Sequence, residues 1–320
     1  MRPRSTAGSL AGRPPAIMII GASGYLGRHV RDAVGAAGLE VSTAGRSPLP
    51  DSPVHYLVDL ATDSPAAVAA TLAEQAPDVV VNCAGATGGD VGTLAAANVT
   101  GTATLVSALR RTGRSIRLVH LGSAAEYGPS EPGTAVAESD PARPAGAYGA
   151  TKLAATRLVE LGRVTGLDAV VLRVFNPVGP GAPDTILPGR LVAELRRATA
   201  DGDDVRLGPL DAVRDFVDAR DVADAAVAAA VAPALPAAVI NVGSGTGVPV
   251  RTLVRELVAI SGYDGSVTER AAAAGAGAGG ASWQQADIAR ARRDLDWEPR
   301  RDLAAALADL WEECRAPAAR

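Results

Sequence analysis

The stretch Ala16-Ile17-Met18-Ile19-Ile20-Gly21-Ala22-Ser23-Gly24-Tyr25-Leu26-Gly27 decides the fold. A short apolar run stops at a glycine, and residues 25–36 then carry apolar side chains at helical spacing. The segment therefore predicts a strand, a tight turn and a helix. Glycines at 21, 24 and 27 suit a turn whose backbone must come close to a pyrophosphate, with the free N–H groups and positive dipole end of the helix facing it. With 35 glycines in 320 residues, three at these spacings arise by chance about 0.4 times per chain. The dinucleotide-binding expectation therefore rests on the position of the pattern, at the first strand–helix junction.

The alternation continues outward. Further strand-like runs lie at 40–44, 54–58, 78–82, 116–121 and 168–173, separated mostly by segments of helical character. This predicts an α/β fold, a doubly wound parallel sheet with helices on both faces. After residue 173 the rhythm breaks at a Pro/Gly-rich stretch, 176–181. The expected organisation is a disordered leader over 1–15, a dinucleotide-binding domain over 16–174, and a smaller interleaved substrate region over 175–320. About 214–242 of that region is expected to return to the sheet. The Ala/Gly-rich stretch 271–282 is expected to be a mobile loop.

Composition excludes several classes of function. Thirty-one basic against 35 acidic residues give a net charge of −4, so no basic surplus exists to neutralise a nucleic acid polymer or anionic lipid. No membrane span is expected, because the most apolar stretch, 222–240, is alanine-dominated and broken by Asp224, Pro233 and Pro236. Cys83 and Cys314 fit neither a metal spacing nor a disulfide framework, which points to a reducing, cytoplasmic setting. His29, His55 and His120 are scattered and read as structural, so no metal site is expected.

A dinucleotide site also needs a group at the end of the second strand to read the adenosine ribose: acidic for a free 2′-hydroxyl, often arginine for a 2′-phosphate. That place holds Arg46, while Glu40 comes at the start of the strand. NADP (as NADPH) is expected over NAD. Asp59, after the third strand, is expected to meet the adenine.

Tyr148-Gly149-Ala150-Thr151-Lys152 carries the chemistry. The chain holds 30 arginines and one lysine, and that lysine follows one of five tyrosines by four residues, which chance gives about 5 times in 320. Four residues apart on a helix is one face, so the ammonium is expected beside the phenol, favouring its ionised form. Moving a phenol from about 10 to near 7 takes roughly 4 kcal/mol of differential interaction, which the ammonium and a bound nicotinamide cation together could supply. Ser123 follows the strand at 116–121 and is expected at the carboxyl end of the sheet, able to hydrogen-bond a substrate oxygen beside the tyrosine.

These residues belong to a larger set: GASGYLG at 21–27, NCAG at 82–85, NVTGT at 98–102, LGSAAEYG at 121–128, YGATK at 148–152, LRVFNPVGPG at 172–181, RDFVDARDVA at 214–223 and NVGSG at 241–245. With them the chain resembles the extended short-chain dehydrogenase/reductases over 16–311. The resemblance implies a Rossmann-type sheet with a smaller C-terminal substrate domain. It casts Tyr148 as acid/base, Lys152 as its activator and ribose ligand, and Ser123 as donor to the carbonyl. It implies cofactor contacts along the turn at Gly21, Ser23, Gly24, Tyr25, Leu26 and Gly27, then at Arg46, Asp59 and Leu60, at Cys83, Ala84 and Gly85, and at Asn98. Tyr148 and Lys152 also touch the cofactor. Substrate contacts fall on Ala86, Ser123, Ala124, Asn176 and Arg214, the last meeting the diphosphate of a nucleotide sugar. A homodimer through helices near 93–109 and 148–162 is also implied.

Within the family, sugar 4,6-dehydratases carry an acidic pair directly after the active-site Ser or Thr, because elimination of water needs its own acid and base. Here Ala124 and Ala125 stand there, and Glu126 comes one place later. Epimerases keep NAD tightly bound, whereas Arg46 favours a dissociable NADPH. The reading is an NADPH-dependent ketoreductase for a nucleotide-linked 4-keto-6-deoxy sugar, or a related natural-product intermediate of the kind met in antibiotic biosynthesis. The alternatives are a nucleotide-sugar 4-epimerase with bound NAD and a non-catalytic dinucleotide-binding regulatory protein. Relatives place a second cation in the region that is Ala/Gly-rich here, 271–282, with Arg270 at its edge. The resemblance thus leaves the diphosphate with one arginine, Arg214.

Overall fold

Short runs of Ile, Met and Val alternate with helices through the first half of the chain, and the runs at Ile17–Ile20 and Val79–Asn82 are buried from end to end. Strands of a parallel sheet covered on both faces require such continuous burial. The computed structural model describes residues 13–269 and 283–315. The first half runs β1 (Ile17–Ile20), α1 (Tyr25–Ala36), β2 (Val41–Gly45), β3 (His55–Leu57), α2 (Pro65–Gln75), β4 (Val79–Asn82), α3 (Val91–Leu94), α4 (Gly101–Arg111), β5 (Arg117–Ser123), α5 (Ala147–Val164) and β6 (Ala169–Val174). A π-helical stretch, Ala95–Thr100, joins α3 to α4. The second half runs β7 (Asn176–Val178), α6 (Leu187–Asp201), β8 (Val205–Leu207), β9 (Val213–Asp218), α7 (Ala219–Val231), β10 (Val239–Val242), β11 (Gly247–Pro249), α8 (Val250–Ser261), β12 (Val267–Glu269), α9 (Ala289–Leu295) and α10 (Leu303–Arg315).

Seven strands form the large sheet in the order β10-β6-β5-β4-β1-β2-β3, and every ladder in it is parallel. The order turns back at β1, which lies between β2 and β4. Such a switch point opens a crevice at the carboxyl ends of the strands. Gly21 after β1, Cys83 after β4, Ser123 at the end of β5 and Asn176 after β6 thereby reach one edge.

Helices α1 and α7 cover one face, over Ile17, Ile19, Val30, Val34 and Val119, while α2, α4 and α5 cover the other, over Met18, Ile20, Leu72, Leu105 and Val159. The buried side of α7 is mostly alanine, including Ala223, Ala226 and Ala230, which lets that helix lie close to the sheet. A second core, with Leu191, Leu195, Leu253, Leu257 and Leu307, lies among α6, α8 and α10.

The structure alters two expectations about organisation. Within 214–242, α7 and β10 return to the large sheet, but β9 pairs with β7 and β11 in a sheet of its own. Of the expected leader over 1–15, residues 13–15 are placed against the domain: Arg13 pairs with Asp78 at 2.9 Å, and Pro15 is buried. Its first twelve residues lie outside the described residues, as does the stretch 271–282. Among the described residues no helix is long and apolar enough to cross a membrane, and no group of three or more His, Cys, Asp or Glu is arranged to hold a metal ion.

Candidate active site

The turn after β1 is built for close backbone approach. Gly21 has φ +83°, and a Cβ there would lie 2.7 Å from the Ala84 nitrogen; a Cβ on Gly27 would lie 2.0 Å from the Gly21 oxygen. Helix α1 starts hard against this turn. Its N-cap, Gly24, has no side-chain cap, so the first-turn N–H groups stay open for an anion. A cavity of about 310 Å³ is lined by Gly21, Ser23, Arg46, Asp59, Leu60, Ala84 and Ala86. It meets a second cavity, of about 620 Å³, at Gly24, Cys83 and Gly85. Tyr25 and Leu26 line the larger one. Two chambers joined at a glycine turn could hold the two halves of a dinucleotide, Arg46 bordering one and Ser123 and Tyr148 the other. Arg46 is exposed. One oxygen of Asp59 accepts from the Ala61 N–H at 3.0 Å.

Ala86 and Asn98 are held to each other. Ala86 lines the smaller cavity, between Gly85 and Thr87, which line the larger one. Its N–H donates to Asn98 Oδ1 at 2.9 Å, and its carbonyl accepts from Asn98 Nδ2 at 3.0 Å. Asn98 also donates to Thr151 Oγ1 at 3.1 Å. Buried and fully engaged, Asn98 fastens the loop after β4 to α5 and lines neither cavity.

Ser123 ends β5 and caps a 3₁₀ turn, Ala124–Glu126, its Oγ accepting from the Ala125 N–H at 3.2 Å. Tyr148 lies in the first turn of α5. The next residue is Gly149, where a Cβ would stand 2.3 Å from the Ala125 oxygen. The absent side chain lets α5 press onto the serine turn, and Ser123 and Tyr148 line one cavity together. Burial raises the Tyr148 phenol above the ordinary tyrosine range, the neighbouring Ser123 hydroxyl opposes the rise, and the Glu126 carboxylate adds to it.

Lys152 shares the Tyr148 face of α5 one turn on. Its ammonium donates to the Leu121 carbonyl at 2.5 Å and is buried. Burial lowers its pKa, while Glu126 and Cys83 raise it. A buried ammonium must find acceptors, and the Leu121 carbonyl takes one of its three N–H donors. His120, read as structural, bonds Asn82 at 3.0 Å, and burial holds its pKa down.

Ser123, Ala124, Asn176 and Arg214 gather on the larger cavity with Tyr148. Asn176 donates to the Asp215 carbonyl at 3.0 Å and to Gln284 Oε1 at 3.2 Å, and Gln284 Nε2 donates to the Ala124 carbonyl at 3.2 Å. Gln284 is a lining residue that sequence reading missed, since it returns to the site beyond the Ala/Gly stretch with no motif around it. The Arg214 guanidinium donates to the Val213 carbonyl at 2.8 Å, and burial lowers its pKa. A third cavity, of about 600 Å³, shares Asn176 and Arg214 and adds Arg190 of α6 and Arg206 of β8. Both are exposed, and neither side chain forms an ion pair among the described residues. Arg214 is therefore not alone: two further guanidiniums from separate elements border the adjoining cavity.

The model of the NAD dependent epimerase/dehydratase family matches residues 17–243. A dTDP-6-deoxy-L-talose 4-dehydrogenase (NAD(P)(+)) of Kitasatospora kifunensis is 40% identical over 307 residues, covering 93% of this chain and 95% of that protein. A GDP-6-deoxy-D-mannose reductase of Pseudomonas aeruginosa is 28% identical over 255 residues, 77% of this chain and 80% of that protein. Among solved structures, MoeE5 in complex with UDP-glucuronic acid and NAD superposes with a TM-score of 0.82 at 28% identity, over 94% of this chain and 99% of the other.

Proposed function

The chain belongs to the NAD dependent epimerase/dehydratase family and is an NAD(P)-dependent enzyme; on that premise we propose that it reduces the 4-keto group of a nucleoside-diphosphate-linked 6-deoxyhexose. The observation that carries this reading is the meeting of two features in adjoining cavities: the Ser123–Tyr148 hydroxyl pair and the guanidiniums of Arg214, Arg190 and Arg206. The first suits a carbonyl oxygen and the second a diphosphate. The 40% identity to an enzyme named for the 4-position of a dTDP-6-deoxy sugar supports dTDP as the carrier.

A bound nicotinamide supplies the hydride. Ser123 donates to the ketone oxygen and Tyr148 delivers the proton as the carbon is reduced, and the phenol is reprotonated from solvent through the open cavity. Reduction uses Tyr148 in its protonated form, the form a phenol holds at neutral pH, whereas oxidation of the alcohol would need the phenolate. Lys152 is assigned to the cofactor ribose, a role open to its ammonium because only one of its three N–H donors is spent on the Leu121 carbonyl. Weaker cofactor binding by Lys152→Met is expected, and unchanged binding would remove that role.

Arg46 is assigned to a 2′-phosphate, so NADPH is preferred over NADH. The Arg46→Ala variant should lose most of that preference, and an unaltered ratio of affinities would exclude the assignment. The function itself is tested by supplying NADPH and dTDP-4-keto-6-deoxyhexoses to purified protein and following NADPH loss. Conversion of 4-epimers without added reductant, by protein that purifies with NAD, would favour the epimerase instead. Exposed Val91, Leu161 and Val164 on α3 and α5 support a homodimer through these helices; a Val164→Asp variant with wild-type sedimentation would oppose it.

A further inference from the structure

Glu126 lies one place beyond the positions where dehydratases carry their acidic pair, and it faces inward, fully buried. One carboxylate oxygen accepts from the Ser123 N–H at 2.9 Å. The other accepts from Thr156 Oγ1 at 2.8 Å and from Arg173 Nε of β6 at 2.7 Å. Thr156 stands one turn beyond Lys152 and two beyond Tyr148, on the same stripe of α5. Arg173 also lies over the Tyr127 ring, 4.5 Å from its centroid. One side chain thus ties together the end of β5, strand β6 and the helix that carries the tyrosine and the lysine.

A buried ion pair is a poor device for stability, because desolvation offsets its attraction and apolar residues of similar volume do as well or better. What such a pair supplies is fixed geometry. We propose that Glu126, anchored by Arg173, is a positioning residue for reduction: it sets the Ser123 backbone against the Thr156 face of α5, so that the Ser123 and Tyr148 hydroxyls meet one carbonyl oxygen. This rests on the proposed acid role of Tyr148. The other charged or titratable groups around the carboxylate are Tyr148 and Lys152 from α5, Arg173 and Tyr127, with Cys83 and His120 facing Lys152.

The test uses pairs of substitutions that strand no charge. Glu126→Met with Arg173→Met removes both the ion pair and the acceptor for the Ser123 N–H. Glu126→Gln with Arg173→Met removes the charge but keeps the acceptor. Both should melt near the wild type. The Met/Met protein should lose at least about 10-fold in kcat, with KM for the keto sugar changed by less than about 2-fold. The Gln/Met protein should recover most of that loss. Without the carboxylate, which raises the Tyr148 pKa, the alkaline limb of the reduction profile should move to lower pH. Thr156→Val, a milder cut of the same tether, should lower kcat alone should Met/Met fail to fold. Wild-type kcat and pH profile in Met/Met or in Thr156→Val, or equal losses in Met/Met and Gln/Met, would overturn the proposal. Tyr148→Phe is assayed alongside. If it is inactive while the Glu126 variants are normal, only the positioning role falls; if it retains full rate, the acid assignment falls first and this inference with it.

Discussion

Replacing Gly149 with alanine sets two effects against each other. In an exposed helix the change stabilises by about 0.5–1 kcal/mol, because glycine loses more backbone freedom on folding. Gly149 is not exposed: the new Cβ would stand 2.3 Å from the Ala125 oxygen, 3.0 Å from the Ala125 carbonyl carbon and 3.0 Å from Pro144 Cβ. Ordinary contact begins at 3.4 Å, so the serine turn and α5 must part by about 1 Å, and overpacking of this kind costs about 1–3 kcal/mol. The clash wins, with a net loss of about 1–2 kcal/mol, or a fall of roughly 2–4 °C in melting temperature per kcal/mol. The larger effect falls on activity. A shift of about 1 Å between Ser123 and Tyr148 is enough to lower kcat by about 100-fold. Gly35→Ala in α1, where a Cβ meets nothing within 4 Å, is the control, expected to raise the melting temperature and leave kcat alone. Thermal melts and steady-state reduction of both variants make the comparison. A Gly149→Ala protein that is stabilised like Gly35→Ala and fully active would refute the close-approach argument.

The Arg190→Gln and Arg206→Gln variants should each weaken binding of dTDP by about 10-fold, at roughly 1.5–3 kcal/mol for a charge-assisted contact discounted for the exposure of both side chains. Calorimetric titration at two salt concentrations reads this, and affinities equal to the wild type would remove these arginines from the diphosphate. Because burial raises Tyr148 above the ordinary tyrosine range, and reduction uses its protonated form, kcat/KM for the ketone should stay level between about pH 7 and 9 and fall only at higher pH. The reverse oxidation should rise with pH over the same interval. A reduction rate that already falls near neutrality would show a phenol more acidic than its surroundings imply.

Much of this was legible in the sequence, for reasons that can be named. The run 16–27 specifies its own local structure, so the first strand, turn and helix follow from residues next to one another. Tyr148 and Lys152 share a helix face, so their common stripe is readable, and Ser123 is readable from its place at a strand end. What the lysine does with its ammonium was not legible: the acceptor, Leu121, is 31 residues away on another element. Glu126 looked idle because its three partners come from β5, α5 and β6. Arg190, Arg206 and Gln284 reach the cavities only through the packing of α6, β8 and the return after 283, and no local pattern marks them. Strands β7 and β11 have three residues each, too few for a period to declare itself, which is why the pairing of β9 with them was unforeseen.

The account turns on one proton. Purified wild-type protein and Tyr148→Phe, mixed with NADPH and a dTDP-4-keto-6-deoxyhexose and followed through a single turnover, test it directly. The wild type should consume NADPH in step with 4-hydroxy sugar formed, and the phenylalanine variant should bind both ligands yet turn over about 10²–10⁴-fold more slowly. Equal rates in the two proteins would contradict it.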